Sequence, residues 1–483
     1  MSKRTFLTPA VAFAAVSFFL GQLGDGLNVF QGIYLVNIGW NEGAVGAALS
    51  LMGLTALIVQ TFSGDVIDKI TIDRRKVLSI AALLTSFSAL AILFVREGNN
   101  NQDHMLMYVT KVVEGLASSF IAPCLAALTL ASFGPEEFDS IMASNVLWGH
   151  IGSSVSAILA GAAAYILYPN IKWCFFVIAF SALAAILFVP FLPQGDQMMG
   201  RGFHNDEKNR IKSTKHNISD SGGETSYCSE NSKEKDKSME AASYISVFSD
   251  KKTLVLCLTG FFFHFANANV LLVLGELMSM ENNDSNNDGY YYENDDNGKE
   301  GETSRSAIPL IAGAIILAQL TMSGATAIGD KLTEHGVGRK TIFLAGLVSL
   351  PIRCALIIYW RDAGNGFLLS TQLLDGVGGG FFGLLHPYLV ADITFGTGRF
   401  NLIMGMTASC FGLGSTISNF LGQMIVEKMG HVTSLSCSLL ISFIPIVIFS
   451  MLMPETMNTR GKKNDLGDDN GDKPYVRTDY VLA

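Results

Sequence analysis

Apolar residues run along this chain in stretches of about twenty, parted by short polar connectors, and about twenty mostly apolar residues are what a helix needs to cross a bilayer. Expected crossings fall at 10–37, 43–63, 77–95, 105–132, 139–168 and 171–192, then at 253–279, 307–328, 341–360, 367–394, 401–427 and 431–453. The first run follows Lys3 and Arg4 as a secretory signal would. However, it continues past Phe30 to Tyr34 and Val36, so it reads as a spanning helix. The expected fold class is an all-α integral membrane protein of about twelve transmembrane helices in two six-helix repeats. The divisions expected are a bundle over 1–193, a disordered linker over 194–251, a second bundle over 252–454 and a disordered tail over 455–483. The linker reading rests on a polar composition that buries too little apolar surface to offset ordering.

Composition agrees. The 483 residues are 49% hydrophobic and 16% charged, where soluble domains carry about 25% charge. The mean hydropathy is +0.36. Most of the net charge of −9 sits in an Asn-rich acidic stretch over 281–302. No basic stripe interleaved with aromatics points to nucleic acid. The seven cysteines show no paired spacing and read as small core residues, with no metal site, cofactor or disulfide framework expected. Lysine and arginine in short connectors number ten on one side and six on the other, which puts both termini in the cytoplasm.

The two halves repeat. Asp68-Lys69 recurs as Asp330-Lys331, 262 residues later. The stretch FGPEEFDSIMAS from Phe133 aligns with FGTGRFNLIMGM from Phe395, again at 262. Glu114-Gly115 matches Asp375-Gly376 at 261. Both copies put charge into one short connector. In SGDVIDKITIDRRK, Ser63 to Lys76, seven of fourteen residues are charged. A carboxylate at the C-terminal end of its own helix faces a partial negative charge. Asp68 and Asp330 therefore gain only by meeting a cation or another helix's N-terminus.

This organisation resembles the major facilitator superfamily over about residues 10–455. That family's connector signature is glycine, three residues, aspartate, Arg or Lys, then a basic cluster. Here it reads Gly64, Asp68, Lys69 and Arg74-Arg75-Lys76, with a second copy at Asp330, Lys331, Gly338, Arg339 and Lys340. The first copy lacks the glycine before the cluster, and both have extra residues inside it. The resemblance implies alternating access, with Gly64, Asp68, Lys69, Arg74, Arg75, Asp330, Lys331 and Arg339 in a cytoplasmic gate. A solvated turn that only fixes topology is the other reading. KVVEG, Lys111 to Gly115, resembles the family's Arg-x-x-x-Gly in helix 4 with Lys in place of Arg. Helix 5 lacks the glycine-proline pair common in the family's exporters, which weighs against a drug exporter.

Ionisable residues at bilayer depth are costly and mark function by default. Gln22, Asp25, Asn28 and Gln31 fall at three-residue spacing on helix 1, one slowly winding face, while Gly24 and Gly26 also suit a tight crossing at Asp25. Lys111 and Glu114 share a face of helix 4 and either pair with each other or meet Asp25. Asn145, Trp148 and His150 lie on helix 5, His264, Asn267 and Asn269 on helix 7, and Asp375, Phe382 and His386 on one face of helix 10. Trp148 is either a stacking wall or packing, and each histidine either a cavity or a core residue. In the resembled family helices 1, 4, 7 and 10 line the path. Arg353 on helix 9, peripheral in that family, suits an internal ion pair.

The function expected is proton-coupled secondary transport of a small organic solute, with Asp25, Lys111, Glu114 and Asp375 as candidate proton groups, in a protein acting as a monomer in the bilayer. A uniporter, an exporter and a non-transporting sensor are the alternatives. No HExxH or GxSxG motif supports an enzyme. Orientation gives the first prediction. Asn217 and Asn283 both match the glycosylation acceptor, and only Asn283 lies outside on this topology. A glycosylating host should modify Asn283 alone, read by glycosidase-sensitive gel shift of single Gln variants; a glycan on Asn217 reverses the orientation.

Overall fold

The computed structural model describes residues 7–23, 26–96, 101–167, 171–203, 241–285 and 299–457. Asp25, Asn217 and Cys228 lie outside the described residues, as do the side chains of Asn28 and Asn283. Among the described residues the first half holds α1 (Pro9–Gly21), α2 (Gly26–Asn37), α3 (Glu42–Lys69), α4 (Arg74–Leu90), α5 (Asn101–Ser118), α6 (Ile121–Ile166) and α7 (Phe176–Phe188). A short α8 (Tyr244–Phe248) leads into α9 (Lys251–Ser285), α10 (Lys299–Glu334), α11 (Arg339–Tyr359), α12 (Asn365–Ser370), α13 (Gln372–Ile393), α14 (Phe400–Met429) and α15 (His431–Leu452).

Ten stretches among the described residues are long and apolar enough to cross a membrane. One of them, Asp103–Ile166, holds two expected crossings. They part at Gly134, whose φ of 74° only glycine takes readily, and Pro135 then opens the next helix as a first-turn proline should. The first expected crossing holds α1 and α2, with residues 24 and 25 between them outside the described residues. Capping fits the sequence: the side chains of Thr8, Asn41 and Asp73 accept from backbone N–H groups at the starts of α1, α3 and α4.

In the first half α6 packs on α1, and α5 on α3 and α4; in the second α9 packs on α14 and α15, and α13 on α10 and α11. Two seams join the halves, α3 with α14 and α6 with α10. The α6–α10 seam is closed along its length, from Gly161 over Ala312, past His150 Nδ1 at 2.7 Å from Gln319 Oε1, to the Arg339–Asp139 ion pair beyond the end of α10. The named contacts of the α3–α14 seam run from Leu57 against Gly412, through Thr61 and Ser409 with hydroxyls 3.0 Å apart, to Asp68. They gather toward the end of the bundle that carries the charged connectors. There Phe138 and Phe400, 262 positions apart and so equivalent in the repeat, meet edge to face at 5.7 Å.

The reading of 194–251 as disordered needs correction at both ends. Residues 194–203 lie against the bundle as a strap, with Phe203 buried, and Ser243 caps α8, which buries Val247. Composition averaged over the whole stretch hid these few apolar anchors. The expected tail also begins docked: Glu455 accepts from the N–H groups of Arg339 and Lys340 at 3.0 and 3.1 Å, where the N-terminus of α11 favours an anion.

Close helix approach at the charged end depends on two glycines. A Cβ on Gly64 would fall on the Asn401 carbonyl, and one on Gly405 on the Gln60 carbonyl. Cysteines placed at Thr61 and Ser409 in a cysteine-free background should form a disulfide under mild oxidation. Adding Gly64→Val should abolish it, read by gel mobility after cleavage between the halves. An undiminished cross-link would mean that the glycine does not set the approach.

Candidate functional site

At the charged end, Asp68 is buried beneath α14. Its carboxylate accepts from the Leu402 N–H at 2.9 Å, the Asn401 side-chain amide at 2.8 Å and the Asn401 N–H at 3.3 Å. The carboxylate that its own helix end disfavours is thus held by the N-terminus of another helix, from the other half. Gly64 allows the approach. Lys69 is exposed and pairs with Asp65 at 2.5 Å. Arg74 is buried and donates to the Ile67 and Gln197 carbonyls. Arg75 forks onto Asp73 at 2.7 Å and reaches the Leu192 carbonyl. Hydrogen bonds from Arg75 hold the Asp73 carboxyl at about 2, well below the usual carboxylate range.

The second copy is built differently. Arg339, buried, joins Asp392 on α13 at 2.5 Å and Asp139 on α6 at 2.6 Å, and so bridges the halves. Tyr388 places its hydroxyl 2.5 Å from the Asp139 carbonyl and 3.2 Å from Asp330. Lys331 is exposed. Asn401 and Asp139 hold equivalent places in the repeat, 262 apart. One gate therefore uses a neutral amide on a carboxylate, the other an ion pair.

Two ion clusters are buried at membrane depth, one per half. In the first, Lys111, 1% exposed, donates to Glu114 at 2.8 Å and to the Gln31 side chain. Lys111 and Glu114 thus pair with each other, as one of the sequence readings had it. Gln22, buried at the end of α1, takes the Ser156 hydroxyl on its carbonyl. Asn145 donates to Thr129 at 2.9 Å within the same half, and Trp148 stands edge-on to Phe18 at 6.3 Å. Both contacts serve packing in the first half.

In the second half Arg353, 0% exposed, donates to Asp375 at 2.7 Å and to Asn267 at 2.9 Å, and Asn267 in turn donates to Asp375 at 3.0 Å. This gives Arg353 its partner. Glu114 and Asp375 are equivalent in the repeat, and each shares its cation with an amide of the first helices of its half, Gln31 or Asn267. The cation differs: a lysine from the same helix in one half, an arginine from α11 in the other. Below this cluster Phe382 stacks on Phe263 at 4.9 Å and His264 on Phe411 at 5.2 Å. His386 Nε2 lies 2.7 Å from the Thr407 hydroxyl. His386 thus has a hydrogen-bond partner, and both histidines stand within an aromatic wall. Sequence reasoning missed Asn401 and Asp139; the repeat aligns the two and was the available signal.

The profile of the Major Facilitator Superfamily matches residues 7–281, more than half of the chain. The chain belongs to the major facilitator superfamily. Relatives within that superfamily include the MFS-type transporter Rv2456c of Mycobacterium tuberculosis strain H37Rv, 29% identical over 455 residues that cover 93% of this chain and 94% of the relative. Among solved structures, the proton:xylose symporter XylE gives a TM-score of 0.65 at 12% identity, covering 94% of this chain and 99% of that one. A bacterial homologue of the iron transporter ferroportin in an outward-facing state gives 0.60 at 15% identity, covering 92% and 99%. At such identities the likeness shows the fold alone. The protein is a multi-pass transporter of this superfamily and not an enzyme.

The Arg353–Asp375 pair yields a stability prediction. Removing one partner of a buried pair strands a charge and costs about 3–5 kcal/mol, whereas replacing both with apolar residues is often near neutral. Arg353→Leu and Asp375→Leu should each lower the thermal midpoint sharply in detergent, and the double variant should recover most of the loss. Additive losses would show that the two do not act as a pair.

Proposed function

We propose that this protein is a proton-coupled secondary transporter, a symporter of a small organic solute working by alternating access. The observation that carries this reading is the Lys111–Glu114–Gln31 cluster, ionisable, buried and on a helix at the core of the first half. Lysine and glutamate form a pair that one proton can open. Protonation of Glu114 removes the attraction to Lys111, and the freed ammonium then needs a new partner. Asp25, outside the described residues, was expected on the polar face of helix 1 that also carries Gln31, and is the candidate for that partner. Protonation of Asp375 would open its pair with Arg353 in the same way, so Asp375 is the second candidate for the coupling proton. Glu114 is put first because its cation partner lies on the same helix, beside the polar face of helix 1.

The two seams support rocking. The named contacts of α3–α14 lie toward the charged end, and those of α6–α10 run along the seam. The lysine and arginine bias takes the charged end as cytoplasmic. The gate residues Asp68, Arg339 and Asp139 then hold the cytoplasmic side shut. XylE moves xylose with protons, while the ferroportin homologue belongs to an iron-carrying group. The fold hosts both, so these neighbours do not set the solute class.

Proteoliposomes and a panel of labelled solutes test the reading. Wild type should accumulate its solute only under an inward proton gradient. Glu114→Gln should reduce accumulation to the level of protein-free liposomes yet keep solute exchange. Uptake by wild type that survives collapse of the gradient makes the protein a uniporter, and accumulation by Glu114→Gln moves the proton site elsewhere.

A further inference from the structure

The strap that follows the last helix of the first half passes between the two halves at the gate. On the first-half side the Asp196 N–H donates to the Ala131 carbonyl at 2.8 Å, and Arg74 donates to the Gln197 carbonyl at 3.2 Å. On the second-half side the Gly396 N–H donates to the Gly202 carbonyl at 2.7 Å, and the Phe203 ring fills the space where a Cβ on Gly398 would lie. The chain fits closely: a Cβ on Gly200 would meet the Arg74 guanidinium and the Ala127 carbonyl.

Asn401 joins this strap to the gate. It is 0% exposed, and its side-chain amide nitrogen donates twice, to Asp68 at 2.8 Å and to the Gly200 carbonyl at 2.9 Å. Both partners only accept, so the NH2 group must face them. The two hydrogens of one amide thus tie together a carboxylate of the first half, a helix start of the second and the linker. An aspartate, as at Asp139 in the equivalent place, would offer neither hydrogen.

We propose that Asn401 is a positioning residue that makes strap docking and gate closure a single equilibrium. Withdrawing α14 from Asp68 carries Asn401 away from Gly200, Gly396 from Gly202 and the Gly398 loop from Phe203. The strap stays with the first half through Asp196 and Gln197. Closing the gate re-forms the seat for Phe203. Coupling of this kind is reciprocal: weakening the strap must open the gate, and weakening the gate must loosen the strap. The inference concerns the gate itself and stands whichever residue carries the coupling proton.

The test uses the full chain in lipid nanodiscs without solute. Spin labels at Glu137→Cys and His335→Cys, both exposed, report the separation of the halves at the charged end in a cysteine-free background. Phe203→Ala should lower the closed population relative to the open one by about fivefold or more, and Phe203→Leu should restore most of it. In the reverse direction Asp68→Asn should speed backbone hydrogen exchange at Gly200, Gly202 and Phe203 while leaving α11 unchanged. Should Phe203→Ala prove unfolded, Asn401→Ala carries the test and must both open the gate and speed strap exchange. An unchanged distance distribution in folded Phe203→Ala, or unchanged strap exchange in Asp68→Asn, overturns the proposal and leaves the strap as passive packing.

Discussion

A carboxylate buried at the wrong end of its own helix is stable only while another helix covers it. Asp68 closes α3, and α14 supplies the N–H groups that its own helix end cannot. The stabilisation therefore exists in one arrangement of the halves and vanishes in the other. Glycines at 64 and 405 let the backbones come close enough, and the Phe138–Phe400 contact sits beside them near the axis relating the halves. A bistable clamp of this kind is what alternating access needs, since a continuously deformable contact would leak at both ends.

The same duplication was used twice with different chemistry. At the gate, the amide of Asn401 in one seam answers to the carboxylate of Asp139 in the other, which is why Arg339 must enter to hold Asp139 and Asp392. Within the membrane, Glu114 answers to Asp375, but one is matched to lysine and the other to arginine. The duplicated scaffold thus carries two interfaces and two clusters of unequal character.

Much of this was legible in the sequence because the solvent imposes it. Lipid demands long apolar helices, so the crossings could be placed from hydropathy, and the offset of 262 exposed the duplication. Asp68, Lys111 and Glu114 were conspicuous because charge is rare in such surroundings. What stayed hidden depends on contacts between distant segments. Arg353 was visible but its partners were not, since they come from two other helices. The strap was lost because Phe203 and its neighbours are few among many polar residues. Asn401 looks like any helix-start residue until its two acceptors are seen.

The central claim is that the halves rock as bodies about a gate held by Asp68. Two spin-label pairs on α3 and α14, one at the charged ends and one at the far ends, measure it directly in one protein preparation. Replacing Asp68 with asparagine should lengthen the charged-end distance and shorten the far-end distance in matching proportion. Lengthening at the charged end with an unmoved far end would mean local fraying, and would contradict the account.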